Sequence, residues 1–170
     1  MRVLFVAFAL VLFSCNSEPS DAELLINTPV DYKGMVAYVS FNSECPNCLR
    51  SKSALLEAST SHSDFKWYAL LIDDEDTLSL PSKIFTKYNN NTAKALSKKF
   101  GFTVTPEVIL MNSGKVIYRG AITDQNKELT QGKLTAQNNF LMQACIAATI
   151  DSDTTLPNRK AIGCFIEYNP

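Results

Sequence analysis

The chain has 170 residues, with 16 Lys and Arg against 17 Asp and Glu, and 46% of its residues are hydrophobic. That length builds one domain with its own core and excludes two full ones. The near-balanced, slightly acidic charge excludes a broad electrostatic footprint for nucleic acid, so the short run Lys98-Lys99 reads as solvated helix surface.

Arg2 precedes an apolar stretch from Val3 to Phe13, and Leu12-Phe13-Ser14-Cys15 leads into a polar segment. This is the layout of a secretory signal, and the stretch is too short to span a membrane comfortably. A cysteine directly after a small residue at the cleavage point resembles a bacterial lipoprotein lipobox. The resemblance implies a signal peptide over 1–14 and a lipidated Cys15 that anchors the mature protein to the cell envelope, facing the periplasm. The alternative is an ordinary signal peptide with an incidental cysteine. Residues 15–24 then form a polar tether containing Pro19, and residues 25–170 form the domain.

Within that domain, Leu24 to Ile26 and Val30 to Tyr32 can supply an N-terminal strand or cap. Met35 to Phe41 is almost continuously apolar, as expected of a strand covered on both faces. A helix follows through Leu49 to Ser59, with Leu49, Leu55 and Leu56 as its apolar stripe. Phe65 to Ile72 reads as the next buried strand, ending in the acidic turn Asp73-Asp74-Glu75-Asp76. That turn lacks the glycine and final glutamate of an EF-hand and reads as solvated loop. Thr77 to Asn91 reads as irregular. Thr92 to Phe100 reads as a short helix, capped by Thr92 or a neighbouring asparagine and stopped by Gly101. Val108 to Met111 and Lys115 to Arg119 form a hairpin around Asn112-Ser113-Gly114. Ala136 to Ile150 carries a helical stripe through Phe140, Leu141, Ala144, Cys145 and Ala148, and Ala161 to Tyr168 is β-like. The alternation predicts an α/β domain with a central mixed sheet flanked by helices.

Cys45-Pro46-Asn47-Cys48 stands at the first strand-to-helix junction. Unpaired N–H groups and the helix dipole favour negative charge there, so Cys45 is the expected nucleophile. Cys48, three positions on, is the expected resolving thiol. This pair, followed downstream by Thr103-Val104-Thr105-Pro106-Glu107-Val108 and the hairpin, resembles the thioredoxin-like superfamily over essentially the whole mature domain. The resemblance implies a thioredoxin fold, thiol-disulfide oxidoreductase activity without a cofactor, a cis-Pro106 facing the cysteines, and a Thr105 backbone that binds extended substrate. Its implied partners are disulfide- or dithiol-containing envelope proteins and a membrane or periplasmic electron donor. Tyr118 to Asp124 and Ile162 to Ile166 are similar to a peroxiredoxin-like redoxin subgroup. Pro106-Glu107 resembles membrane-anchored thioredoxins that reduce apocytochrome c, which implies that Glu107 relays protons near Cys48; a plain surface carboxylate is the alternative.

The chain also departs from the family. Val39 stands where thioredoxins carry a buried acid, and Glu44 replaces the tryptophan before the first cysteine. The Glu44 charge opposes thiolate formation, so a moderately lowered Cys45 pKa is expected. A peroxidase frame would need a proline and a hydroxyl where Tyr38 and Asn42 stand, which leaves thiol peroxidase a lesser alternative, with Arg119 read as an exposed strand or turn residue. A second alternative is a redox-inactive module that uses the surface around Pro106 to hold a peptide. The only histidine, His62, falls in a polar loop and reads as exposed. The usual haem attachment site is excluded because Leu49 follows Cys48, and zinc because there is no second Cys-x-x-Cys. Cys145 and Cys164 are expected to bridge the tail to the last helix, as suits an exported protein; exchange of Cys164 with the active-site pair is the alternative.

Overall fold

The structure, a computed structural model, describes residues 33–73, 79–124 and 138–168. The signal segment, Cys15, the tether and the N-terminal strand expected at 24–26 and 30–32 lie outside the described residues.

In chain order the elements are β1 (Met35–Phe41), α1 (Pro46–Ser61), β2 (Lys66–Leu71), β3 (Phe85–Asn89), α2 (Asn90–Lys99), β4 (Val104–Thr105), β5 (Glu107–Asn112), β6 (Lys115–Gly120), α3 (Phe140–Ile150) and β7 (Cys164–Phe165). Five strands form one mixed sheet in the order β3-β2-β1-β5-β6, and β4 with β7 forms a separate two-stranded ladder. β1 is central, parallel to β2 and antiparallel to β5. It is buried on both faces from Val36 to Phe41, which is why its sequence runs apolar rather than alternating. This is a thioredoxin fold, with helices on both faces of the sheet.

Because successive strand residues point to opposite faces, the sheet sorts its side chains into two cores. Ala37, Val39, Phe41, Val108 and Leu110 face α1 and α3, in one cluster with Cys45, Cys48, Leu55 and Leu141. Val36, Tyr38, Ile109 and Met111 face the other way, with Ala93 and Leu96 of α2. There Tyr38 stacks on Tyr68 at 5.0 Å and meets Phe100 at 4.3 Å.

Several expected elements shift. The buried face of α1 runs through Cys48, Ser51, Leu55, Ala58 and Ser59, while Leu49 is 55% exposed. Truncating Leu55 to alanine therefore costs about 2–5 kcal/mol and truncating Leu49 little. The stretch read as irregular contains β3, parallel to β2 from Trp67↔Phe85 to Leu71↔Asn89. Only Phe85 of its five residues is fully buried, so an edge strand this polar carries almost no apolar signal. α2 begins at Asn90, and Asn89 occupies its N-cap without a side-chain hydrogen bond. α3 begins at Phe140 because Asn139 caps it: the Asn139 side chain accepts from the Met142 amide at 3.0 Å and donates to the Ala54 carbonyl of α1 at 3.0 Å.

Candidate active site

The loop from β1 into α1 is held by hydrogen bonds that aim the cysteines. The Ser43 amide donates to Asp73 Oδ2 at 2.6 Å, and the Ser43 hydroxyl donates to the same oxygen. Asp73, read as part of a solvated acidic turn, thus fastens the active-site loop to the end of β2. The Glu44 amide donates to Asn42 Oδ1 at 2.8 Å, and the Cys45 amide donates to the Asn42 carbonyl at 3.2 Å. Cys45 takes the extended N-cap conformation of α1, and Pro46 starts the helix, where a missing N–H costs nothing. Its carbonyl accepts from the Cys48 and Leu49 amides at 2.9 and 3.2 Å.

The Thr105–Pro106 peptide bond is cis. Ser40 of β1 ties this turn to the central strand. Its hydroxyl donates to the Val104 carbonyl at 2.9 Å and accepts from the Glu107 amide at 3.2 Å. Nothing in the sequence distinguishes Ser40 from a small core residue, yet it sets the height of Thr105 above the cysteines. The Cys45 thiol donates to the Thr105 carbonyl at 3.2 Å, and the Asn42 amide donates to Cys48 Sγ at 3.4 Å.

Loss of the Cys45 proton is favoured by other thiols. Donation from the Cys48 thiol is the strongest influence; burial opposes it, and donation from the Cys164 thiol adds to it, so that the Cys45 pKa falls to about 4. This lies lower than the moderate shift expected from the sequence. Glu44 is exposed, where water screens its charge, and the second thiol donor arrives from the far end of the chain. Burial, followed by donation to Cys45, pushes Cys48 far above the ordinary thiol range. Burial raises Cys164 to about 11.

Cys164 and Cys145 are both free thiols and are not bridged, contrary to expectation. Cys145 is buried on α3, within electrostatic reach of Asp64 beyond the C-terminal end of α1. Cys164 stands at the opposite end of α1, directly across from Thr105 in the β4–β7 ladder. Strand pairing, rather than a disulfide, fastens the tail: the Ile166 amide donates to the Thr103 carbonyl at 3.0 Å, and Tyr168 Oη to the Phe102 carbonyl at 2.6 Å.

Glu107 is buried but does not serve Cys48. It alternates with Val108 and so shares the sheet face of Ile109 and Met111, opposite the cysteines. Its carboxylate accepts from Arg119 Nε at 2.9 Å and from the Thr103 amide at 3.3 Å. Arg119, read as exposed, is half-buried and engaged: its guanidinium also donates to the Phe100 and Gly101 carbonyls and lies 5.6 Å from the centre of the Phe102 ring. This pair braces β5 and β6 against the end of α2. His62, also read as exposed, is half-buried and ends α1, and its carbonyl accepts from Trp67 Nε1 at 2.9 Å. Among the described residues, no group of His, Cys, Asp and Glu side chains has the arrangement of a metal site.

No protein-family model matches the chain, and no curated protein is found to match it. Among solved structures it resembles a hypothetical protein from Sinorhizobium meliloti, with 17% identity and a TM-score of 0.61 over 86% of this chain and 83% of the other. It also resembles an uncharacterized conserved protein from Geobacillus kaustophilus, with 18% identity and a TM-score of 0.59 over 83% and 80% of the two chains. Tryparedoxin I from Leishmania major overlaps more loosely, with 24% identity and a TM-score of 0.44 over 58% and 74%. At these identities, the first two likenesses are of fold.

Proposed function

We propose that this protein is a thiol-disulfide oxidoreductase of the bacterial cell envelope, anchored through a lipidated Cys15 and exchanging disulfides with protein substrates through Cys45 and Cys48. One observation carries the reading. Cys45 stands at the N-cap of α1, three residues before the buried Cys48, with its thiol 3.2 Å from the carbonyl before cis-Pro106.

Cys45 and Cys48 carry the substrate half of the cycle, and an electron donor closes it. The Cys45 thiolate attacks one sulfur of a substrate disulfide; the Cys45–substrate bond forms, the substrate bond breaks, and the departing thiolate takes up a proton. Cys48 then releases its proton and attacks Cys45 Sγ, forming Cys45–Cys48 and freeing the second substrate thiol. Two electrons pass to the substrate, and an envelope electron donor returns two electrons and two protons. Thr105 supplies the backbone edge for an extended substrate beside Pro106. Leu49, Ile162 and Phe165, exposed by 55%, 45% and 85%, supply apolar contact surface for a protein partner.

Equilibration of the protein in defined thiol buffers, with mass readout of the Cys45–Cys48 pair, tests the reading. A reversible couple is expected at a potential above about −270 mV, since stabilising the thiolate of the dithiol form makes its disulfide easier to reduce. Absence of any reversible couple between these two cysteines overturns the assignment.

A further inference from the structure

The nucleophile of this site is covered. Cys45 is 1% exposed, and Thr105, whose carbonyl its thiol meets, is paired with the chain's own tail. β7 pairs antiparallel with β4, Cys164 opposite Thr105 and Phe165 opposite Val104. An extended peptide reading the backbone before cis-Pro106 would use this same edge. Gly163 makes the approach possible: a Cβ there would stand 1.8 Å from the Thr105 carbonyl oxygen and 2.7 Å from its carbon, both backbone atoms with no freedom to retreat. The Asn47 side chain donates to the Ile162 carbonyl at 3.4 Å, tying the tail to α1 as well. The residue delivered into this seat is a free cysteine, partly exposed, packed against the cluster that holds Cys45 and Cys48 and paired with Thr105, whose carbonyl accepts from the Cys45 thiol at 3.2 Å.

We propose that Cys164 is a third redox thiol of the site, carried on a tail strand that occupies the substrate's seat, and that the oxidised protein exchanges between a Cys45–Cys48 and a Cys45–Cys164 disulfide. The inference rests on the reading of Cys45 and Cys48 as an exchanging pair. In the step itself, the Cys164 thiol gives up its proton and its sulfur attacks Cys45 Sγ. The Cys45–Cys164 bond forms, the Cys45–Cys48 bond breaks, and Cys48 leaves as a thiolate that takes up the proton. One disulfide and one thiol are present before and after, so no external oxidant is consumed. The exchange has a structural consequence. Cys48 is fully buried, whereas Cys164 is partly open to solvent, so the rearranged disulfide presents a sulfur that an incoming thiol can reach. To take the same place, a protein substrate must displace the two-residue ladder and the Asn47 tie to Ile162.

The test uses the full chain and its Cys48→Ser variant, each oxidised with glutathione disulfide, alkylated, and mapped with trypsin without reduction. Cys45 falls in the fragment 34–50 and Cys164 in the fragment 161–170. The variant is expected to yield these two fragments joined by an intramolecular disulfide. Adding Gly163→Ala, which removes no thiol, is expected to cut the joined species about tenfold, as the loss of one or two backbone hydrogen bonds would do. Cys48→Ser protein carrying glutathione on Cys45 with Cys164 alkylated overturns the proposal, as does a Cys45 linked to Cys145 or to a second molecule. The unmodified chain in the same experiment separates the two claims. A reversible Cys45–Cys48 couple there, with no joined fragments from the variant, removes only the role of Cys164, whereas no such couple removes the exchanging pair itself.

Discussion

Cys45 and Cys145 are the same residue type, buried to within one per cent of each other, yet their acidities move in opposite directions. Cys145 lies on the inner face of α3 among apolar side chains, and burial raises its pKa to about 12. Cys45 lies at the start of α1, where two thiols turn toward its sulfur, and its pKa falls to about 4. Burial by itself makes a cysteine an inert small hydrophobe; donors aimed at the sulfur make it a nucleophile.

The contrast breaks most sharply with Cys45→Ser, which should abolish disulfide exchange in an insulin-type reduction assay, while Cys145→Ala leaves its rate unchanged. Next in size, Cys48→Ala should move the Cys45 titration, followed by thiolate ultraviolet absorbance, from about 4 toward the free-cysteine range near ~8.5, because its strongest donor is gone. Cys164→Ala should move it in the same direction by less.

Stability against pH sharpens the same point. The folded pKa of Cys45 lies below its unfolded value, so its contribution to the reduced protein is complete above about 8.5 and is lost as pH falls toward 4. Cys48, Cys164 and Cys145 are shifted upward, so their contributions are present below about 8.5 and are lost above it. Denaturant unfolding of the reduced chain should therefore gain stability from pH 4 to about 8 and lose it beyond about 9, and Cys45→Ser should remove the acid limb. Ser40→Ala should cost about 1–3 kcal/mol by leaving the buried Val104 carbonyl and Glu107 amide without their partner. The smallest effect belongs to Cys145→Ala, at about 1 kcal/mol in the same unfolding measurement, the loss expected for one small buried apolar group.

Much of the frame was legible in advance because its signals are local. β1 and the β5–β6 hairpin were readable from apolar runs and a turn, and α1 from its helix formers. β3 was not, since a polar edge strand exists only through hydrogen bonds to Trp67–Leu71. Nor was β4, and β7 was legible only within the longer β-like stretch Ala161 to Tyr168; the two pair because Gly163 lets the tail lie against Thr105. The misreadings of Asp73, Glu107 and Arg119 share one cause. A charged side chain looks solvated in a sequence until a distant element supplies its partner: the Ser43 loop for Asp73, and β5 with β6 for the Glu107–Arg119 pair.

The sequence by itself determined the α/β layout and the position of Cys45 and Cys48 at the first strand-to-helix junction. These follow from residue periodicity and from chain neighbours three apart, which a helix must bring together. Tertiary structure alone decided that Cys164 meets Cys45 rather than Cys145, and that Ser40 and Asp73 hold the site in shape. It also decided that Cys164 adds to the acidity that Cys48 gives Cys45. Each of these depends on contacts between residues 30 to more than 100 positions apart, set by the register of strands rather than by any local pattern.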